Sequence, residues 1–310
     1  MKRKTKNFLF LPSVAFAAAY LIWGFNTAGI KIVVSVVPIY AYLAIRYGIG
    51  ALVLYPMAKR KTWRKIPPKV MRKIFWSSVF GTVAPMVLIS IGLQMTSAVT
   101  ASVIYLLEPI LMYVLSMEML RERFRPRVFM GLIVSMLGSA VLIAAPLLNG
   151  HEINGQFWGN ILVLLAVITS VIGAIIIKPI LNNNVNLNQI TVVRFIQSFV
   201  LLFPFALWQL PALFHAKWTP QVILAMLYGI IFATILAFPI YHYGLKKLSG
   251  EEGSVYHYLD PVGGILSAVV VLHETISTLI IFGSLLVCWG IYLSETRYKF
   301  VRFPFLHAHK

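Results

Sequence analysis

Two carboxylates stand where lipid is expected. Residues 102–112 read SVIYLLEPILM and residues 254–264 read SVYHYLDPVGG, so an acid followed by proline occurs twice, 152 positions apart, each time within an apolar run. A charge at the centre of a spanning helix costs about 2.5–3.5 kcal/mol on insertion scales, so Glu108 and Asp260 belong on an inward face. Groups able to bind ligands or pass protons recur beside them at helical spacing. Tyr105 precedes Glu108 by three residues and His257 precedes Asp260 by three, which puts each pair on one face. Ser90 and Gln94 correspond to His242 and Lys246, four apart, with Tyr241 and Tyr243 flanking the histidine. Trp23 and Asn26 share a face, Lys31 follows at its end, and Arg46 and Arg194 each interrupt an apolar segment. The chemistry these types offer is recognition. Aromatic rings hold apolar groups, Asn26, Gln94, His242 and His257 exchange hydrogen bonds, and Arg46 or Arg194 attracts a carboxylate. Glu108 or Asp260 can take a proton, because a desolvated carboxyl holds one more readily than a carboxyl in water.

Structural roles compete with each of these. Glu108 and Asp260 would serve as helix anchors if paired with Arg46 and Arg194, a contact that sets register rather than binds ligand. The arginines would snorkel if they lie near helix starts. Trp23 also suits a membrane interface, the two histidines suit a satisfied core, and Glu122 and Glu274 suit the turns between spans. Gly131, Gly138, Gly283 and Gly290 read as close helix contacts.

The elements that position these residues follow from composition. Hydrophobic residues make up 59% of the chain and charged residues 12%, with a mean hydropathy of +0.84. A soluble domain carries about 25% charged residues, so this chain's solvent is a bilayer. A span needs roughly 20 apolar residues, and ten stretches qualify: 12–32, 38–58, 74–94, 97–119, 127–147, 158–180, 188–209, 220–244, 252–272 and 277–296. Pro67-Pro68 and Pro126 fall between them, and Pro220 stands at the boundary of one. The opening, MKRKTKNFLFLPSVAFAAAY, imitates a secretory leader, but its apolar run continues to Val34 and is read as an uncleaved first span. A single cysteine, Cys288, excludes an internal disulfide and a four-cysteine metal site. The HAHK ending reads as a tail.

The formal net charge of +18 would suggest a polyanion partner in a soluble protein. With a cytoplasmic N-terminus, however, 23 of the 27 Lys and Arg fall on the inner side, two (Lys31 and Lys217) on the outer side, and Arg46 and Arg194 within spans. The positive-inside rule accounts for that split without nucleic acid. The stretch KRKTWRKIPPKVMRK (59–73) suits anionic headgroups.

The chain also repeats. A shift of 152 aligns Gly92-Leu93 with Gly244-Leu245, Ser102-Val103 with Ser254-Val255, Glu108-Pro109 with Asp260-Pro261, Glu122 with Glu274, and Gly131 and Gly138 with Gly283 and Gly290. Upstream, a shift of 148 brings Arg46 onto Arg194 and Pro56 onto Pro204. Each copy then holds five spans, an odd number, so the second enters the membrane from the opposite side. Loop charges diverge accordingly: RERFRPR (121–127) is basic, whereas HETISTL (273–279) has no Lys or Arg. An inverted repeat suits alternating access, in which two halves related by an in-plane pseudo-twofold open a central site to each side in turn.

Taken in order, WGFNTAGIK (23–31), the Arg-aromatic pairs at 46–47 and 194–195, EPILMYVLSMEMLRER (108–123) and DPVGGILSAVVVLHE (260–274) give the chain its resemblance. It resembles the drug/metabolite transporter superfamily, in particular its EamA-like branch, over nearly its whole length. The resemblance implies ten helices in two inverted modules and uncoupled or proton-coupled movement of small metabolites, often outward. One departure is that IGAIIIKP (172–179) lacks the tryptophan of the first copy.

The expectation is an all-α membrane protein of ten transmembrane helices: a five-helix repeat over 8–147, an inverted one over 158–296, and a basic cytoplasmic tail over 297–310. It would be a secondary transporter in a cell membrane, of the bacterial inner-membrane type, with both termini cytoplasmic. Its cargo would be an amino acid or related compound, with protons as a candidate coupling ion. The substrate site would draw on Trp23, Asn26, Arg46, Gln94, Tyr105, Glu108, Arg194, Tyr241, His242, His257 and Asp260. No cofactor and no ATP-driven step is expected, since no nucleotide-binding motif or metal-ligand spacing occurs. A passive channel and a membrane-embedded lipid-modifying enzyme are the alternatives; the enzyme lacks the acidic clusters such chemistry uses.

Overall fold

A computed structural model of the chain describes residues 2–59, 66–112, 155–181, 186–247 and 255–295, with scattered residues between 115 and 141. Most of the fifth expected span, Glu122, Ser254 and the 297–310 tail lie outside the described residues. Everything described that is regular is helical. The longer helices are α1 (Lys2–Val34), α2 (Ile39–Lys59), α3 (Pro68–Met95), α4 (Ala98–Met112), α5 (Gly155–Leu181), α6 (Leu187–Trp208), α7 (Pro220–Lys247), α8 (Tyr256–Leu272) and α9 (Thr278–Glu295), with a short helical turn, Leu210–Phe214, after α6. Six of them, α1 from Leu11, α2, α3, α5, α6 and α7, are long and apolar enough to cross a membrane.

Local chemistry sets the starts. Pro68 opens α3 and Pro220 opens α7, positions where the missing amide costs nothing. Ser97 accepts from the Thr100 amide at the head of α4, Asn186 from Asn188 at α6, and Thr219 from Val222 at α7, each satisfying a donor the helix cannot. At its far end α8 stops on His273, which adopts the left-handed conformation (φ 54°) and turns the chain so that Glu274 donates its amide to the Ala268 carbonyl. An L-residue pays about 1–2 kcal/mol for that conformation. The His273→Gly variant should therefore unfold at higher temperature in detergent, by the equivalent of about 0.5–1 kcal/mol after the entropy cost of glycine.

The burial pattern is the reverse of a soluble protein's. Large apolar side chains such as Leu52, Leu224 and Val270 point outward, whereas Asn26, Arg46, Thr82, Arg194, Thr234 and His242 are buried. Polar groups in a membrane helix face the bundle interior, and these do.

Two helices carry a local irregularity at matched places. In α3, Val79–Val83 form a π-helical turn, and in α7, Ile231–Leu236 do the same. Their sequences, VFGTV and IFATI, stand 152 positions apart, in the register set by Glu108 and Asp260. Packing pairs match as well. α1 packs on α8 and α5 on α4; α3 packs on α5 and α7 on α1; α3 touches α6 and α7 touches α2. α2 lies against α6, and α4 against α8. Every one of these pairings maps onto another, or onto itself, when α1–α4 are exchanged with α5–α8.

Close approach is paid for in small residues. A Cβ on Gly173 would overlap the backbone of Gly81, which brings α3 and α5 into main-chain contact. Gly138 meets Gly283 and Val287 of α9, as its reading as a helix contact requires.

Candidate functional site

A cavity of about 150 Å3 lies between α1, α2, α3, α4, α5, α6, α7 and α8. On α1 its wall is a stripe, Tyr20, Trp23, Thr27 and Ile30, at the three- and four-residue spacing of one helical face. On α3 it is Thr82, Pro85, Met86 and Ile89, and on α7 Phe238 and Tyr241. Met86 and Phe238, and Ile89 and Tyr241, are each 152 apart. Glu108 comes from α4 and Asp260 from α8.

Eight of the eleven sequence-predicted residues line this space: Trp23, Asn26, Arg46, Tyr105, Glu108, Arg194, Tyr241 and Asp260. His257 stands just behind them. It is buried, bonds the Tyr20 hydroxyl at 2.9–3.0 Å, and brings Nδ1 to 3.8 Å from the Glu108 carboxylate. His242 and Gln94 are elsewhere. His242 is buried against α6, and Gln94 donates to the Val34 carbonyl at 2.5 Å, tying α3 to the end of α1. Ser90 is buried, and its hydroxyl has no hydrogen-bond partner among the described residues.

The arginines do something the sequence did not announce. Arg46 is 1% exposed and donates from Nε to Thr234 Oγ1 (2.5 Å), from Nη2 to the Ala233 carbonyl (3.3 Å) and from Nη1 to the Tyr42 hydroxyl (3.3 Å). Arg194 is 4% exposed and donates from Nη2 to Thr82 Oγ1 (2.7 Å), the Gly81 carbonyl (3.1 Å) and the Ser77 carbonyl (3.3 Å). Gly81-Thr82 and Ala233-Thr234 are equivalent pairs within the two π-helical turns. A π turn widens the ring and leaves carbonyls poorly matched to amides; each guanidinium fills the mismatch in the opposite half of the chain. The Thr234 hydroxyl completes its own turn by donating to the Gly229 carbonyl at 2.8 Å. Neither arginine snorkels, and among the described residues neither pairs with Glu108 or Asp260.

Arg194 also fixes a histidine tautomer. A guanidinium can only donate, so at 3.2 Å from Nη1 the His242 Nε2 accepts, and Nδ1 donates to Thr191 Oγ1 at 2.7 Å. His242 is thus a positioning group for Arg194.

Aromatic rings form a further part of the wall. Tyr20 and Trp23 meet edge to face at 5.6 Å, Trp23 lies 5.0 Å from Tyr241, and the Trp23 indole donates to the Ala233 carbonyl at 2.9 Å. Tyr20 was missing from the sequence reading, yet its spacing of three from Trp23 places it on the same face.

At one end of the bundle Lys31 and Glu274 tie three helices together. Lys31 Nζ is 2.6 Å from Glu274 Oε1 and 2.9 Å from the Thr96 carbonyl. The Glu274 carboxylate accepts the Ala98 and Val99 amides at 3.0 and 2.9 Å, capping α4 at its positive end. Glu274→Gln should lower stability by about 1–3 kcal/mol. Thermal unfolding of this variant, of Lys31→Met and of the pair should show them to be non-additive.

Known proteins bear on this arrangement. The pattern of the EamA-like transporter family matches the chain twice, at residues 11–144 and 157–296. A Bacillus subtilis protein called uncharacterized transporter YoaV is 23% identical over 278 residues, covering 88% of this chain and 93% of that protein. YetK of the same organism, also called an uncharacterized transporter, is 23% identical over 293 residues, 92% of this chain and 87% of its own. An uncharacterized transporter of Archaeoglobus fulgidus is 26% identical over 286 residues, 90% of this chain and 97% of its own. A solved structure described only as "Crystal structure of protein" superposes with a TM-score of 0.65 at 17% identity, covering 92% of this chain and 97% of that one, a likeness of fold. Membrane-length helices, a polar interior and a family match across both halves agree: the chain belongs to the EamA-like transporter family, whose setting is the membrane and whose cargo is small molecules.

Proposed function

We propose that the chain is a secondary transporter working by alternating access, built from two inverted five-helix modules over 8–147 and 158–296. It spans a cell membrane ten times with both termini cytoplasmic and moves an amino acid or related small metabolite outward. The observation that carries this reading is the cavity at the seam of the two halves, into which both contribute equivalent acids and arginines. Reciprocal contacts support the pseudo-twofold. Arg46 of the first half holds the wide turn of the second, and Arg194 of the second holds that of the first. Reciprocity of that kind is the signature of a twofold interface. Opposite loop charges support an axis in the membrane plane. Rocking about that axis moves the cavity mouth from one side to the other while the reciprocal contacts keep the halves in register.

Tyr20, Trp23, Tyr105 and Tyr241 hold the apolar part of the substrate, and Glu108 and Asp260 are the acids through which protons couple to it. Reconstituted in liposomes, the purified chain should show saturable uptake and counterflow. A large conductance without counterflow would favour a channel and overturn the reading. Transport indifferent to a pH gradient and to Glu108→Gln and Asp260→Asn would remove the proton from the mechanism.

A further inference from the structure

We infer that the cavity selects its substrate by an ammonium group, with a carboxylate on the substrate dispensable. This deepens the proposed carrier function and rests on it. The charges on the wall favour a cation once their partners are counted. Both arginines line the cavity, but each nitrogen of Arg46 already donates to a protein oxygen and both Nη atoms of Arg194 donate to protein acceptors, which leaves the buried Arg194 Nε as the one guanidinium nitrogen of the two without a hydrogen-bond partner among the described residues. An incoming carboxylate must share the engaged nitrogens with the oxygens of the wide turns and finds no fork of two unengaged nitrogens on either arginine. The acids are in the opposite condition. Among the described residues the sole ion-pair partner of Glu108 is His257, at 3.8 Å, and Asp260 has none.

A third acceptor points the same way. Asn26 lines the cavity, is 2% exposed, and its Oδ1 has no hydrogen-bond partner among the described residues. An ammonium brings three donors and no acceptor, which matches two carboxylates and an unpaired amide oxygen. Aromatic faces add attraction for a cation, worth about 2 kcal/mol or more when desolvated. Trp23 and Tyr241, 5.0 Å apart, supply those faces beside the acids. A cavity of about 150 Å3 also has the size known to admit a benzene ring. The ligand class is therefore a small amine with a ring or a short alkyl body.

Three compounds of one skeleton and different charge decide the matter. Phenethylamine, phenylalanine and 3-phenylpropionate would be titrated at constant pH against the purified full chain, with tryptophan fluorescence as the readout. The expectation is that phenethylamine binds at least as tightly as phenylalanine, and 3-phenylpropionate at least tenfold more weakly than either. Glu108→Gln and Asp260→Asn should each weaken phenethylamine by tenfold or more, and Asn26→Leu by a few-fold. Circular dichroism identifies variants that fail to fold; if both acid variants do, the three-compound order in the parent chain decides. Absent or non-saturable phenethylamine binding, propionate binding as tight as the amine, or amine binding unmoved in folded acid variants would overturn the inference. Counterflow in liposomes separates this from the carrier reading. Counterflow of the propionate sinks the ammonium assignment and leaves the carrier standing, whereas tight amine binding with channel-like flux does the reverse.

Discussion

Replacing Arg194 with leucine is expected to destabilise the protein more than almost any other single change. Four buried acceptors lose their donor at once: the Ser77 and Gly81 carbonyls, the Thr82 hydroxyl and His242 Nε2. Each buried acceptor left without a partner costs about 1–3 kcal/mol, and point substitutions rarely exceed about 4–5 kcal/mol in total. The variant should sit at that upper end and appear as a collapsed melting temperature and a low yield of monodisperse protein in detergent. Lysine keeps the charge but not the fork, so Arg194→Lys should recover only part of the loss. The same argument yields a matched pair. Thr82→Val and Thr234→Val each delete an oxygen that accepts from a guanidinium, a loss of about 1.5–3 kcal/mol. Equal melting shifts in the two would support equivalence of the wide turns; a silent Thr234→Val would contradict it.

Gly24→Val should abolish transport and most folded protein. A Cβ at Gly24 would overlap the Asp260 carbonyl oxygen and lie 3.0 Å from Gly263 Cα and Gly264 N. All three are main-chain atoms, which no rotamer change can move aside. Overpacking costs about 1–3 kcal/mol where side chains can adjust, and here α1 and α8 must part instead. That contact also sets where Asp260 stands in the cavity, so even Gly24→Ala, if folded, should lose substrate counterflow. Gly155 is the contrast. Its Cβ would meet only Met95 Cε, at 3.6 Å, so Gly155→Ala should leave yield and melting nearly unchanged.

How much of this was legible in the sequence differs by residue. The breaks at Pro67-Pro68 and Pro220 and the inward placing of Glu108 and Asp260 followed from residue type and from the cost of charge in lipid, and the described helices agree, except that the third helix starts at Pro68 rather than at the expected 74. The partners of Arg46 and Arg194 did not follow. A π-helical turn has no residue-type signature, so the carbonyls it leaves ill-matched were invisible, and acids looked like the natural counter-charges. One trace was present: VFGTV and IFATI align in the acid register, with Thr82 on Thr234, but two threonines in apolar runs are a faint signal. Gln94 was drawn into the site by its spacing from Ser90. The face of α3 that lines the cavity instead carries Thr82, Pro85 and Ile89, and Gln94 falls past the end of that stripe. Tyr20 could have been placed by the same three-residue step that joined Trp23 to Asn26.

The wide turns also set where the protein can bear a change of chain length. Each ring at Val79–Val83 and Ile231–Leu236 holds a residue more than an ordinary α-helical turn. Deleting one residue there would let the helix rewind into regular form with the segments on either side facing as before, so Met86 and Ile89, or Phe238 and Tyr241, would stay on the lining and the loss would fall on the seat of Arg194 or Arg46. The same deletion in a regular turn would swing everything beyond it by about 100° around the axis. A gap of a single codon is thus absorbed in the wide ring, whereas elsewhere in the span it turns the wrong side inward.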